Sequence, residues 1–155
     1  MLPIILPPTA HPAWARAEMI AKALRAKGKS NPVIIAAIAN GYAESAWTAV
    51  VAGDHGKSFG PWQMNWVYYG APILSAIGVD IRTETDLAKH VDAVLWALNT
   101  KGNVATLVAL DAATTGAEAT RIWCAGFERA GAANAIDRRV AIAGPIEAWW
   151  AKASG

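Results

Sequence analysis

The sequence predicts a mainly α-helical domain in which a glycine-rich, aromatic loop follows a buried helix. Its 155 residues fit one domain, and 54% of them are hydrophobic against 17% charged, which is enough apolar material for a sizeable core. Apolar residues recur at helical spacing on both sides of a segment dense in glycine and aromatic residues. We therefore treat residues 1–155 as one domain, with an extended, proline-rich lead at residues 1–12.

The first two helices are predicted before the loop. A helix from about Ala13 to Ala26 carries an apolar stripe and is ended by Gly28. In the next helix Asn31 can act as the cap and Pro32 suits the first helical position. That helix runs to about Ser45 and is apolar on nearly all sides, which predicts a central, buried position.

The segment from Trp47 to Tyr69 is predicted to be a loop. Glycines and a proline interrupt any helix here, and Gly70 extends this series of helix breakers. A short hairpin is expected around Phe59 to Met64.

Further helices follow the loop. Thr83 and Asp86 resemble a capping pair before a helix through Leu98, and Asn103 can cap a shorter helix after it.

The last part of the chain is also predicted to be helical. Thr115 with Glu118 opens a helix through Trp123. A final helix should start near Asn134, and Pro145 should kink or interrupt it.

Composition excludes several classes of function. A net charge of +2 does not indicate a nucleic-acid partner. The single cysteine, Cys124, lies in an apolar stretch and is expected to be a buried thiol. Asp54 and His55 would make a poor two-ligand site, so neither metal nor other cofactor is predicted. The apolar segment from Met1 to Pro8 lacks a basic start, so it is not interpreted as a signal peptide.

Glu44 is the first candidate catalytic residue. It closes an otherwise apolar helix, so its carboxyl group should be poorly solvated, which favours the neutral acid. Glycoside hydrolysis needs a carboxylic acid that is still protonated near neutral pH. The alternative is that Glu44 is an exposed residue at a helix end.

Three segments resemble the lysozyme superfamily, in particular goose-type lysozymes, soluble lytic transglycosylases and phage tail lysozymes. The Glu44-Ser45 pair ends a buried helix, and the motif G-P-W-Q follows at 60–63. A third match is W-C-A-G-F-E-R at 123–129. The resemblance spans roughly Asn31 to Arg139 and implies a lysozyme-like fold with Glu44 as the catalytic acid.

The resemblance also implies a substrate cleft beside the loop. Gly60 would allow the backbone to approach a sugar closely, and the Gln63 amide suits N-acetyl or hydroxyl groups. Aromatic side chains can stack on pyranose rings, although core packing is the alternative for each of them. The predicted substrate-binding residues are Ser45, Ser58, Gly60, Trp62, Gln63, Asn65, Trp66 and Tyr69.

The second catalytic group is left open. Asp54 matches the Gly-Asp pair of goose-type lysozymes and would act as base or electrostatic stabiliser, unless it only forms a turn. Those enzymes place another Asp where this chain has Asn65. Without a second carboxylate, the substrate's own 6-hydroxyl would attack, as in lytic transglycosylases. Glu128 and Arg129 are expected to form a local ion pair that braces the late helix.

The resemblance implies a muramidase that cleaves the β-1,4 bond between N-acetylmuramic acid and N-acetylglucosamine in bacterial peptidoglycan. Its setting would be a phage endolysin, held in the host cytoplasm before release, or a lysin of the virion or tail that acts on the wall in the periplasm. Tail or virion proteins are the expected partners, and a monomer is expected in solution. The alternatives are a lytic transglycosylase, a chitinase-like glycosidase and a non-catalytic wall-binding or tail protein.

Overall fold

The computed structural model describes residues 2–129 and 133–155, and it is mainly helical, as predicted. Leu2 to Pro8 form neither helix nor strand and lead into a turn before the first helix. The predicted lead also includes Met1, which lies outside the described residues. The helices are α1 Trp14–Ala26, α2 Asn31–Ser45, α3 Ala71–Ile77, α4 Leu87–Leu98, α5 Val104–Ala112, α6 Gly116–Trp123 and α7 Ala133–Ala153.

Helix α2 lies at the centre of the core. Every residue from Val33 to Gly41 is buried, and the helix packs chiefly against α6 and α7. Two buried indoles bond to the middle of the helix: Trp47 Nε1 donates to the carbonyl oxygen of Ile38 at 2.8 Å, and Trp62 Nε1 donates to that of Ala37 at 3.0 Å. The predicted buried helix is thus confirmed. The contacts around α2 also fix the position of its C-terminal end.

Two of the predicted helix caps are wrong. Asn31 is the first residue inside α2, and its Oδ1 accepts a hydrogen bond from Trp150 Nε1 at 3.0 Å. Asn103 precedes α5 but makes no side-chain cap; its Nδ2 donates to Ala97 O and to Tyr69 Oη, both at 3.0 Å. Each amide is used by a partner from another part of the chain, so local spacing could not predict its role.

The cap at Thr115 is confirmed, and the predicted pair of Thr83 and Asp86 is confirmed only for Asp86, because among the described residues the Thr83 side chain makes no capping bond. Asp86 Oδ1 accepts from the backbone amide of Ala88 at 2.9 Å at the start of α4. Thr115 Oγ1 accepts from the amide of Glu118 at 3.1 Å, while Glu118 Oε2 accepts from the amide of Thr114 at 3.1 Å. These bonds satisfy amides that the first turn of a helix leaves free.

The predicted hairpin is part of a small antiparallel sheet. Its strands are β1 Ala52–Gly53, β2 Ser58–Phe59 and β3 Met64–Asn65, in that spatial order. Phe59 pairs with Met64, as expected for a hairpin at this place, and Gly53 pairs with Ser58 to add the third strand.

The prediction that Gly70 breaks the helix is wrong. Trp66–Gly70 forms a π-helical turn that continues directly into α3. The indole of Trp66 occupies the space where a side chain at residue 70 would lie. Gly70 is therefore a packing residue inside a helix.

Helix α7 carries the last part of the core. It begins at Ala133, close to the predicted Asn134. It continues through Pro145, so the predicted interruption is wrong, while a kink, the other predicted effect of this proline, stays a prediction. Ile142, Ile146 and Trp150 are its large buried side chains. Within the described residues, no helix is both long enough and apolar enough to cross a membrane.

Candidate active site

A cleft of about 530 Å³ lies between the sheet and the later helices. Six predicted site residues line it: Asp54, Ser58, Trp62, Gln63, Asn65 and Tyr69. The others are Met64, Tyr68, Thr100, Gly102, Asn103, Phe127, Glu128 and Arg129.

Glu44 lies on the last turn of α2, where it meets α7. Arg139 Nη2 donates to Glu44 Oε1 at 2.7 Å, and Arg139 Nη1 donates to Asn40 Oδ1 at 2.9 Å. The Arg139 side chain is only 11% exposed and that of Glu44 is 22% exposed, so the ion pair is shielded from water. Asn40 is fully buried and is itself held by a bond from its Nδ2 to Ala36 O at 2.9 Å. The carboxyl group of Glu44 is therefore held in place by α7.

Glu128 joins this pair to the cleft. It ends a second π-helical turn, Cys124–Glu128, which continues from α6. Its side chain is in hydrogen-bond contact with Glu44, and its Oε1 accepts from Trp123 Nε1 at 3.0 Å. Burial, followed by the negative charge of Glu44, raises the pKa of Glu128 well above its usual value of 4.5. The surroundings of Glu128 therefore favour its neutral form.

The predicted ion pair between Glu128 and Arg129 is not formed among the described residues. Glu128 turns inward to Trp123 and Glu44, whereas Arg129 Nη2 donates to Asn103 Oδ1 at 3.5 Å. Arg129 has a left-handed backbone with φ of 53° and follows the π-helical turn that Glu128 ends. The match at 123–129 had singled out the segment that contains Glu128. Its contact with Glu44 could not be predicted, because the two residues lie far apart in the sequence.

Gln63 is held rigidly at the cleft wall. Its Nε2 donates to Gly60 O at 2.9 Å, and its carbonyl end occupies the space where a side chain on Gly53 would lie. Gly60 has φ of 81°, and a Cβ there would lie 3.0 Å from the ring of His90. Gly53 thus leaves the space that the Gln63 amide occupies, and Gly60 supplies the left-handed backbone beside His90, so the position of Gln63 depends on both glycines.

Asp54 and Asn65 lie on different parts of the sheet. Asp54 starts the turn between β1 and β2 and has φ of 51°, which suits the turn role that was the alternative. Asn65 Oδ1 accepts from the amides of Val67 at 2.9 Å and Tyr68 at 3.2 Å. Asn65 therefore caps the following π-helical turn, and a role for either residue in substrate binding or catalysis stays a prediction.

The remaining predicted binding residues have structural partners. Ser45 Oγ donates to Pro61 O at 2.9 Å, and Trp62 is fully buried although it reaches the cleft wall. Trp66 packs against the Arg82 guanidinium, 3.7 Å from its ring centroid, in a separate small pocket. Tyr69 lines the cleft. Sugar contacts by these residues stay predictions.

Fold and site together define a mainly helical domain with a carboxyl pair beside a cleft. The model of the phage tail lysozyme family matches residues 15–149, and the chain belongs to this family. Searches of curated proteins and of solved structures found no significant match. Family membership indicates a lysozyme-like function directed at peptidoglycan.

Proposed function

We propose that the protein is a muramidase that cleaves the β-1,4 bond between N-acetylmuramic acid and N-acetylglucosamine in peptidoglycan, with Glu44 as the catalytic acid. The observation that carries the proposal is the placement of Glu44. It ends a rigid, buried helix and contacts Glu128, which lines the cleft. In this mechanism Glu44 protonates the departing oxygen while an oxocarbenium-like state forms at the sugar.

Asp54 is the proposed second carboxylate. It lies at the same cleft as Glu128, where a negative charge would stabilise the oxocarbenium-like state or activate a water molecule. Gln63 supports the proposal as a rigid amide on the cleft wall that can bond an N-acetyl group.

The test of the acid is Glu44→Gln, which keeps the shape of the side chain and removes its proton. We expect the rate of glycan cleavage to fall by about 100-fold or more, the usual contribution of a general acid. Mass spectrometry of released muropeptides measures the rate and the products together. Glu147→Gln, an exposed substitution on α7, is the matched control. Cleavage by Glu44→Gln at the parent rate would refute the assignment.

A lytic transglycosylase is the second candidate function. The observation that favours it is Asn65, which stands where goose-type lysozymes carry a carboxylate and which caps a helical turn. Anhydro ends on the products, with the rate unchanged in Asp54→Asn, would support it. Hydrated ends with a slower Asp54→Asn enzyme would support the muramidase.

The biological setting is proposed to be a phage, as an endolysin or as a lysin carried in the virion or tail. Proteomics of purified virions separates the two settings. Chitin oligosaccharides test the chitinase-like alternative, and a complete absence of released products would favour a non-catalytic wall-binding or tail protein.

A further inference from the structure

Glu128 carries a half-buried carboxyl group to which the proposed cleavage gives no task. It touches Glu44 on one side, accepts from Trp123 Nε1 at 3.0 Å on another, and also lines the cleft. A carboxyl group withdrawn from water is costly unless its partners satisfy it, and a simple core position would be better filled by an apolar residue.

We propose that Glu44 and Glu128 share a single proton, and that Glu128 is a positioning residue that stores this proton and returns it to Glu44 for each cleavage. The proposal rests on the proposed function of Glu44 as the acid. Its geometrical basis is the direct contact of the two carboxyl groups and the cation of Arg139 on the far side of Glu44.

The charges of the cluster favour a state in which Glu44 and Glu128 hold one proton between them. Two adjacent carboxyl groups in a shielded site resist double ionisation, because the second negative charge is repelled by the first. Arg139 supplies one positive charge, so the cluster is neutral overall when the pair keeps one proton. The thiol of Cys124 also lies near this pair, and burial raises its pKa, so that it adds no charge near neutral pH. Arg129 lines the cleft next to Glu128, but its guanidinium bonds to Asn103.

The proton balance of a cleavage cycle follows from this arrangement. At rest, the Glu128 O–H donates to the Glu44 carboxylate. The proton moves to Glu44, which then gives it to the glycosidic oxygen as the bond from that oxygen to the sugar carbon breaks. The attacking water, or the sugar hydroxyl, bonds to that carbon and releases a proton to Glu44. The pair then holds one proton again, and Arg139 offsets the second negative charge in between.

The first test is the pH profile of kcat for Glu128→Gln. The substituted amide oxygen can still accept from Trp123, so the shape of the site is kept. The substitution removes the group that, in this proposal, stores the proton for Glu44. We expect the alkaline limb of the profile to move down by about one pH unit or more, with an about tenfold lower kcat on that limb and KM within about twofold. A folded Glu128→Gln enzyme with an unmoved limb would overturn the proposal.

Trp123→Phe provides a test in the opposite direction. It removes an N–H donor that favours the ionised form of Glu128, so the alkaline limb should move to higher pH. A role in packing alone would lower activity at all pH values without moving the limb, and this result would contradict the proposal. Glu147→Gln is again the matched control, and its limb should stay in place.

A direct titration separates this proposal from the proposed function. Carbon-13 labelling of the glutamate carboxyl groups allows NMR to follow Glu128 with and without Glu44→Gln. We expect the pKa of Glu128 to fall when Glu44 is replaced, whether or not the protein cleaves glycan. If Glu128 titrates in the same way in both proteins, the shared proton is refuted, whereas lack of cleavage with coupled titration refutes only the catalytic role of Glu44.

Discussion

Gly60 combines a left-handed backbone with a close approach to a buried ring. We expect Gly60→Ala to lower the free energy of unfolding by more than Gly28→Ala does. Both glycines have nearly the same φ, 81° and 78°, but a Cβ on Gly28 meets open space, while on Gly60 it lies 3.0 Å from His90. The backbone strain common to both is about 1–2 kcal/mol, and crowding should add about 1 kcal/mol or more at Gly60.

Urea unfolding of the two variants measures this difference. Equal losses would show that His90 moves aside without cost. Because Gln63 bonds to the carbonyl of Gly60, glycan cleavage should also fall in Gly60→Ala and not in Gly28→Ala.

At the residue scale, the sequence indicated Glu44 as the candidate catalytic acid but did not indicate the side chains that surround it. Glu44 could be predicted because its helix, its serine neighbour and the later G-P-W-Q motif are local patterns. Arg139 lies 95 residues away from Glu44 in the chain, and no spacing rule connects them. Glu128 was noticed but assigned to the adjacent Arg129, since sequence neighbours are the only partners that a local argument can offer.

Asn65 is the cap of the π-helical turn that starts at Trp66. We expect Asn65→Ala to lower the free energy of unfolding by about 0.5–2 kcal/mol, the usual cost of losing a side-chain cap. Asn65→Asp keeps the oxygen that accepts from the amides of Val67 and Tyr68, so its stability should stay close to that of the parent. Thermal unfolding of the three proteins provides the comparison. If Asn65→Asp were destabilised as much as Asn65→Ala, the cap would not explain the residue.

At the scale of elements, the sequence correctly predicted the helix caps that are made by hydrogen bonds between near neighbours in the chain. The caps at Asp86 and Thr115 are made within one turn of helix, and both were predicted. Asn31 instead bonds to Trp150, across 119 residues of sequence. Gly70 is helical because a tryptophan four residues earlier fills the space beside it, and a rule that treats glycine as a breaker omits that contact.

For the whole molecule, the pKa shifts of His90 and Glu128 lead us to expect opposite effects of pH on stability. Burial lowers the pKa of His90 below 6.5, because the fully buried ring loses the water that would solvate its charged form. The bond of its Nε2 to Glu84 O at 2.7 Å opposes this shift but does not outweigh it. The unfolded chain therefore binds the proton more readily, and stability falls as pH drops below 6.5. Glu128 has a raised pKa, so the folded state keeps its proton longer and stability falls as pH rises above 4.5.

Urea unfolding across this pH range tests both signs. The stability of Glu128→Gln relative to the parent should increase with rising pH, with a slope of at most about 1.4 kcal/mol per pH unit. The stability of His90→Gln relative to the parent should increase with falling pH below 6.5. A constant difference in either comparison would show that the group has the same pKa in both states.

The mainly helical architecture could be predicted because its helices and sheet are separated by clear changes in periodicity. The packing of α7 against the end of α2 could not, although it completes the candidate site. Side chains such as Asn40 and Arg139 look unremarkable in the sequence, and their role exists only once the two helices meet.

The thiol of Cys124 allows the opening of the candidate site to be followed by chemical labelling. It is the only cysteine of the chain, it is buried, and burial raises the pKa of its thiol. A thiol reagent reacts with the exposed thiolate, so it can label the native protein only when the turn that carries Glu128 opens. The rate of labelling of Cys124 therefore measures how often this part of the candidate site opens. No engineered probe is needed for the measurement.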